Sequence, residues 1–427
     1  MTFSPTKPTP GKSYLIPMII ISALFFIFGF VTWLNGILIP YLQIACELTN
    51  FQALLVAFAF YIAYTVMALP SSWVLDRTGL KNGMMIGLFV IAVGTLMFIP
   101  AAYMRTYWIF LLALFIMGTG LALLQTASNP YITIIGPRES AARRISVLGI
   151  CNKLAGAVAP LLLAYYIFSD GDAFIKSLEG MDAAARGLAL DDLALRVVNP
   201  YIFMTIVLII MGIGVRLSPL PEIEKEQDPD VDASLEKSKS SIFAFPHLIL
   251  GVIALFFYVG AEVIAGDTII RYGLSLGIKL EIAKGFTSYT MMAMLAGYII
   301  GIILIPKYID QRKALMISAI LGIIFTFGAI FTTGINSIIF VALFGLSNAI
   351  VWPAIWPLAL HNLGSFISRG SALLIMAISG GAILPLIWGK FSDIFSPQYA
   401  YWIMIPCYLI ILFYSLRGYK LTSWSRK

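Results

Sequence analysis

Apolar residues run through this chain in long blocks divided by short polar or charged breaks. Crossing the hydrocarbon core of a bilayer takes about 20 residues of helix. Blocks of that length occur at 15–41, 51–75, 82–102, 107–135, 144–168, 198–217, 246–272, 284–306, 313–333, 337–362, 370–394 and 399–418. Each predicts a helix, because no water inside a membrane can satisfy an open backbone. The breaks are turn-like or charged: Thr49-Asn50, Asp76 to Asn82, Met104-Arg105, Gly136 to Arg144 and Lys307 to Lys313. Many blocks contain Gly and Pro, which membrane helices tolerate where neighbours satisfy the freed backbone groups.

Two segments break the pattern. Residues 169–197 carry Asp170, Asp172, Asp182, Asp191 and Asp192 among alanines, the composition of a short surface helix. Residues 218–245 run from Pro219 and Pro221 through Glu222, Glu224, Asp228 and Asp230 to Lys237-Ser238-Lys239, a polar stretch near the middle of the chain. It reads as a flexible cytoplasmic linker. The expected division is therefore a six-helix bundle over 1–217, a linker over 218–245 and a second six-helix bundle over 246–427. One pattern is written in both halves. Leu124 to Pro130 leads to Gly136-Pro137, Arg143-Arg144, Gly156 and Pro160; Trp356-Pro357 leads to Leu363-Gly364, Arg369, Gly380-Gly381 and Pro385. Asp76-Arg77-Thr78-Gly79-Leu80-Lys81 is answered by Asp310-Gln311-Arg312-Lys313. Duplicated halves of this kind predict a transporter.

The composition agrees: 60% of residues are hydrophobic and 11% charged, too apolar for a water-soluble domain. The net charge of +7 sits in turns between apolar blocks, the positive-inside arrangement, so no nucleic-acid partner is expected. With the N-terminus inside, 19 Lys and Arg fall on the inner face, 8 fall outside and Lys153 lies within a span, accounting for all 28. Both termini are thus expected in the cytoplasm. Cys46, Cys151 and Cys407 are isolated in or beside apolar blocks, which suggests neither a disulfide framework nor a zinc site. The first block is too long for a signal-peptide core and reads as a retained helix. Carboxylates at helix ends beside cations, Asp76 with Arg77 and Lys81 and Asp310 with Arg312 and Lys313, are gating candidates. They either latch the halves in one state of the cycle or merely set topology.

The Asp-Arg-x-Gly-x-Lys turn, with twelve helices in two halves, resembles the major facilitator superfamily. Phe30-Val31-Thr32-Trp33-Leu34-Asn35-Gly36-Ile37-Leu38-Ile39-Pro40 is similar to the first helix of its fucose permease and glucose/galactose permease branch. So are Thr49 to Ala53, Gln125 to Tyr131, Gly136-Pro137, Tyr258-Val259-Gly260-Ala261-Glu262 and Asn362-Leu363-Gly364, and the stretch from Ser140 to Gly156 leans toward the glucose/galactose side. The resemblance covers about Phe25 to Tyr414. It implies an all-α membrane protein, with twelve transmembrane helices in two pseudo-symmetric six-helix bundles, the major facilitator fold, and it implies sugar transport by a monomer. Two departures matter. The fucose permease pattern has an aspartate where this chain has Gly36 and a glutamate where it has Gln125, and in that family those carboxylates are associated with proton coupling and sugar recognition. That relay does not carry over, and the driving force stays open.

The ionisable groups left inside the membrane are Lys153, Glu262 and Asp267. Lys153 lies nine residues past Arg144, about 14 Å deep, where a charge costs at least about 2.5 kcal/mol without a partner or a wet cavity. Gln125 falls at a similar depth, so the two are expected to meet; Glu262 is expected higher, and Asp267 at a wetted outer rim. Lys153 and Glu262 either act on substrate or coupling ion or brace the helices, and with Asp267 they are the coupling candidates. Sugar recognition needs amides or carboxylates for hydroxyls and a flat ring for the apolar face. Candidates are Asn35, Gln125, Asn129, Asn152, Lys153, Tyr258, Glu262, Asn348, Trp352 and Trp356, with Trp33, Tyr61 and Tyr289 as further rings. Asn129 before Pro130 is as easily structural, and Trp352 and Trp356 share a helical face that either lines the site or meets lipid. His361 reads as a polar helix end and His247 as interfacial.

No P-loop, metal-spaced cluster or Ser-His-Asp arrangement stands out, so neither a pump driven by ATP nor an enzyme is expected, and no cofactor or metal. The reading is a secondary transporter in a bacterial cytoplasmic membrane that imports a hexose, glucose- or galactose-like, with fucose as a variant. Sodium is the first choice of coupling ion, a proton the second and uncoupled uniport the third. A transporter-like sugar receptor is the rival from another class, and a membrane enzyme built on His361 lacks a second catalytic group.

Overall fold

The computed structural model describes residues 15–134, 141–168, 171–220, 241–305, 307–361, 363, 366–421 and 423–424. Within them, twelve helical stretches are long and apolar enough to cross a membrane: spans 1 to 12 are Leu15–Ala45, Asn50–Ala68, Arg77–Tyr103, Tyr107–Ser128, Val147–Ile167, Ala183–Leu217, Pro246–Asp267, Leu280–Leu304, Gln311–Phe331, Gly334–Leu360, Ala372–Ile394 and Pro397–Lys420. The protein is an all-helical, multi-pass membrane protein. Most of the 218–245 segment, 221–240, lies outside the described residues. The aspartate-rich segment forms two short helices, Gly171–Leu178 and Ala183–Leu195; the second starts on Asp182, whose carboxylate accepts from the Ala185 N–H at 2.8 Å.

Local chemistry sets where spans begin and turn. Span 2 opens on a capping box: the Thr49 hydroxyl accepts from Gln52 N–H and the Gln52 side chain accepts from Thr49 N–H, which satisfies orphan donors at the helix start. Helix runs on through Leu55–Tyr103, and the reversal between spans 2 and 3 narrows from the expected Asp76–Asn82 loop to Gly79, at φ 75°. Glycine takes that left-handed backbone without steric penalty. Span 9 starts on Asp310, whose carboxylate accepts from Lys313 N–H at 2.7 Å.

In lipid the hydrophobic effect does not drive helices together, so close packing must. A Cβ on Gly118 in span 4 would lie 2.2 Å from the Phe60 carbonyl oxygen in span 2; on Gly345 in span 10 it would lie 2.0 Å from the Thr290 oxygen in span 8. The same correspondence joins Gly29 in span 1 to the Asn152 carbonyl oxygen in span 5 (2.1 Å) and Gly380 in span 11 to that of Phe256 in span 7 (1.8 Å). Spans 1 with 5, 2 with 4 and 3 with 6 therefore have counterparts in 7 with 11, 8 with 10 and 9 with 12. Between the two sets, span 5 packs on span 8 and span 2 on span 11, contacts that interchange when the sets are exchanged. Large apolar side chains such as Phe203, Ile210 and Phe331 face outward, as a lipid-facing surface requires.

Several spans are interrupted or bent, four of them near the candidate residues. Span 1 turns at Leu34, span 7 at Thr268, span 10 at Ala349-Ile350 and span 11 passes through a 3₁₀ turn at Ala377–Ser379. Spans 1 and 7 occupy matching places in the two sets, and their breaks hold Asn35 and Asp267.

Candidate functional site

Lys153 of span 5 and Glu262 of span 7 join the two sets of helices. Lys153 Nζ donates to Glu262 Oε1 at 2.7 Å, and both side chains are about nine-tenths buried. The ammonium also stands over the Trp33 ring at 4.4 Å from its centroid. The expected difference in depth is corrected: the lysine stem spans the gap that residue counting placed between them. The expected meeting with Gln125 does not form. Gln125 is buried and its Oε1 has no hydrogen-bond partner among the described residues.

Asp267 also departs from expectation. A wetted rim was expected, yet its side chain is fully buried and both carboxylate oxygens are without a partner among the described residues. Sequence distance from the span end misled here, because helix resumes at Ile269–Ser275 and continues for about two turns, with Ile269 to Gly273 buried. Around it, the side-chain amide of Asn35 and the Tyr61 hydroxyl lie beside each other without completing a hydrogen bond. Thr287 Oγ1 donates to Gly266 O at 2.8 Å and faces Gly36, where a Cβ would lie 2.6 Å from that oxygen. Gly36 is thus the contact that lets spans 1 and 8 approach.

Three of the aromatic candidates fall into one group. Tyr258, one turn before Glu262, sits with Trp352 at 6.5 Å between centroids, and Trp352 stacks on Trp356 at 5.3 Å. The tryptophan pair packs against the apolar core, half-buried beside Tyr258. Tyr289 is 57% exposed and lies outside this group. Asn348 accepts from the Tyr408 hydroxyl at 3.1 Å, and its Nδ2 is unpartnered among the described residues. Asn152 Nδ2 reaches the Phe25 carbonyl at 3.5 Å and ties span 5 to span 1. The side chain of Asn129 lies outside the described residues, as does that of Asp76. His247 is buried rather than interfacial, its ring between the carbonyl oxygens of Leu421 and His361.

The end of the bundle that carries the loops after spans 1, 7 and 11 (the odd-loop end) is tied shut. Asp393 Oδ2 of span 11 accepts from Phe51 N–H at 3.0 Å, and Arg271 Nη2 donates to Asn50 Oδ1. Lys284 Nζ donates to Phe168 O at 3.3 Å and Ser288 Oγ to Ala157 O at 2.6 Å. This clamp is not legible in the sequence, because an asparagine and a backbone N–H in a loop carry no charge pattern. A cavity of about 580 Å³ opens over it, lined by Gln43, Thr49 to Gln52, Lys390 and Asp393, and none of the ion-pair residues lines it. Its open, solvent-facing walls make it a vestibule, whereas a site for a neutral polyol needs the convergent, buried groups around Lys153.

At the opposite, even-loop end, the described gating candidates bind within their own set. Lys81 Nζ donates to Ser218 O at 2.7 Å, Arg77 stacks over Trp73 at 3.7 Å and Lys313 Nζ lies 3.9 Å from Asp310 Oδ2. Arg312 Nη1 donates to the Tyr419 hydroxyl at 3.1 Å.

The model of the Major Facilitator Superfamily matches residues 21–384. A glucose/galactose transporter of Brucella abortus is 36% identical over 419 residues, 97% of each chain. The L-fucose-proton symporter of Escherichia coli is 30% identical over 387 residues, 90% of this chain and 88% of that one. A crystal structure of the E. coli fucose:proton symporter superposes with a TM-score of 0.73 at 27% identity, covering 96% of this chain and 100% of the other.

Proposed function

The chain belongs to the major facilitator superfamily, and from that premise we propose that it imports a hexose of the glucose or galactose class by alternating access, coupled to a cation. The observation that carries this is the buried Lys153–Glu262 pair, which ties the two sets of helices beside unsatisfied amides and a cluster of aromatic rings. An intramembrane ion pair is expensive to maintain as a brace alone. What a sugar needs is present on the surrounding spans: hydrogen-bonding groups not yet used, at Asn35 and Asn348 with Gln125 of span 4 as a further unpartnered amide, and flat rings at Trp33, Tyr258, Trp352 and Trp356. The ammonium and carboxylate reach hydroxyls by exchanging their mutual bond for bonds to substrate.

Alternation is the rocking of the two sets about this point. The odd-loop end, closed by the Asn50 and Phe51 contacts, faces the outside, and the even-loop end, where Arg77, Lys81, Arg312 and Lys313 bind within their own sets, faces the cytoplasm with both termini. The setting is a bacterial cytoplasmic membrane and the working unit a monomer. Among coupling ions the proton moves ahead of sodium, since the E. coli relative is a proton symporter.

The test is uptake of labelled glucose and galactose into proteoliposomes with sodium and pH gradients imposed separately. Accumulation of either sugar under one gradient supports the reading. Equilibration without accumulation supports uniport instead, and saturable binding without any uptake supports a receptor.

A further inference from the structure

We propose that Asp267 is the proton-binding group of the transport cycle: it holds its proton while the odd-loop end is closed and exchanges it with water when that end opens. This deepens the proposed function and rests on it for the coupling to sugar. Asp267 sits at the break of span 7, fully buried, with neither oxygen hydrogen-bonded among the described residues. The Tyr61 hydroxyl of span 2 is near enough to interact electrostatically with it and lies beside the Asn35 amide at the turn of span 1, and neither has a hydrogen-bond partner among the described residues. An ionised carboxylate in such a place would lack every donor and counter-ion that makes burial of charge tolerable.

The neighbouring charges do not supply one. Glu262, five residues earlier on the same helix, holds Lys153 of span 5 at 2.7 Å. Arg271, four residues later, donates to Asn50 and lies near Asp393 of span 11, and no ion pair joins it to Asp267 among the described residues. Tyr401 of span 12 is bonded to Thr268, at 3.0 Å. A neutral acid removes that cost. Both sets of helices contribute to this enclosure, Asn35 and Tyr61 from one and Asp267 from the other. Opening the odd-loop end therefore parts the walls around Asp267, admits water and lets the proton come and go from the carboxylate oxygen. Glu262 lies about 7.5 Å further along the helix axis, at 1.5 Å per residue, and is the next carboxylate on an inward path.

The test uses the full chain purified in detergent and then reconstituted. Infrared difference spectra at neutral pH are expected to contain a carboxylic-acid C=O band that disappears in Asp267→Asn and survives in Glu262→Gln. This readout needs no sugar, so it stands even if the wild-type protein fails to transport a hexose. In proteoliposomes, Asp267→Asn mimics a permanently neutral acid, and sugar exchange is expected to persist while accumulation driven by a pH gradient falls to equilibration. Three results would each overturn the proposal: no such band in the wild-type protein, a band unchanged in Asp267→Asn, or wild-type accumulation by that variant. Accumulation that requires sodium and is lost with the carboxylate would overturn it as well, by making Asp267 a metal-cation ligand.

Discussion

Replacing Lys153 by Met keeps the volume of the stem and removes the charge, leaving Glu262 buried without its partner. At 2.7 Å the two charges attract by on the order of 6 kcal/mol at an effective dielectric of about 20. Desolvation of both ions offsets most of that, which is why an intact buried pair adds little net stability. Breaking it is different, because the surviving carboxylate keeps its desolvation cost; about 3–5 kcal/mol is expected for the single variant. Loss of the ammonium over Trp33 at 4.4 Å adds about 1–2 kcal/mol. Glu262→Gln should be destabilising for the reciprocal reason. The double variant Lys153→Met with Glu262→Gln leaves no unpaired charge, so it should recover at least about 2 kcal/mol relative to the sum of the singles. The assay is a double-mutant cycle on denaturant unfolding of purified protein, with sugar uptake measured in parallel. Additivity of the two singles within about 0.5 kcal/mol would refute the electrostatic account. A double variant that folds and transports normally would reduce the pair to a brace; uptake lost in all three variants is the expected result.

Three more predictions test other parts of the structure. Asp393→Ala removes the acceptor for Phe51 N–H, a charge-assisted bond of about 1.5–3 kcal/mol, so the odd-loop end should open roughly ten- to a hundredfold more often. Spin-label distances across that end read the shift, and an unchanged distribution would refute the clamp. Gly345→Ala places a Cβ 2.0 Å from the Thr290 oxygen; about 1–3 kcal/mol or more of overpacking is expected, and a melting temperature equal to wild type would contradict the crossing geometry. Burial pushes the Cys46 thiol up to about 11, so roughly one molecule in a thousand carries the thiolate at pH 8. Alkylation near pH 8 should then be far slower than for a free thiol. Because the folded-state value is raised, this group's stability contribution is intact below about pH 9 and is lost as pH climbs through about 11; fast alkylation at pH 8 would refute it.

Span number, helical content and the duplicated pattern were legible in the sequence, because a bilayer imposes a length of apolar helix that counting can detect. The cation at Lys153 and the carboxylate at Glu262 were legible as anomalies for the same reason: a charge in a long apolar block stands out. The sequence alone also marked Gly36 and Gln125 as positions without a titratable group. It did not decide who meets whom. That Lys153 turns to Glu262 and leaves Gln125 unpaired depends on how close spans 5 and 7 come, which glycine contacts such as Gly29 on Asn152 help set. The burial of Asp267 depends on helix resuming after Thr268, a break that no proline marks. The Asn50–Arg271 and Phe51–Asp393 contacts join residues more than two hundred positions apart through an amide and a backbone N–H. Such groups gain meaning when packing removes water from around them, and tertiary structure alone makes that removal.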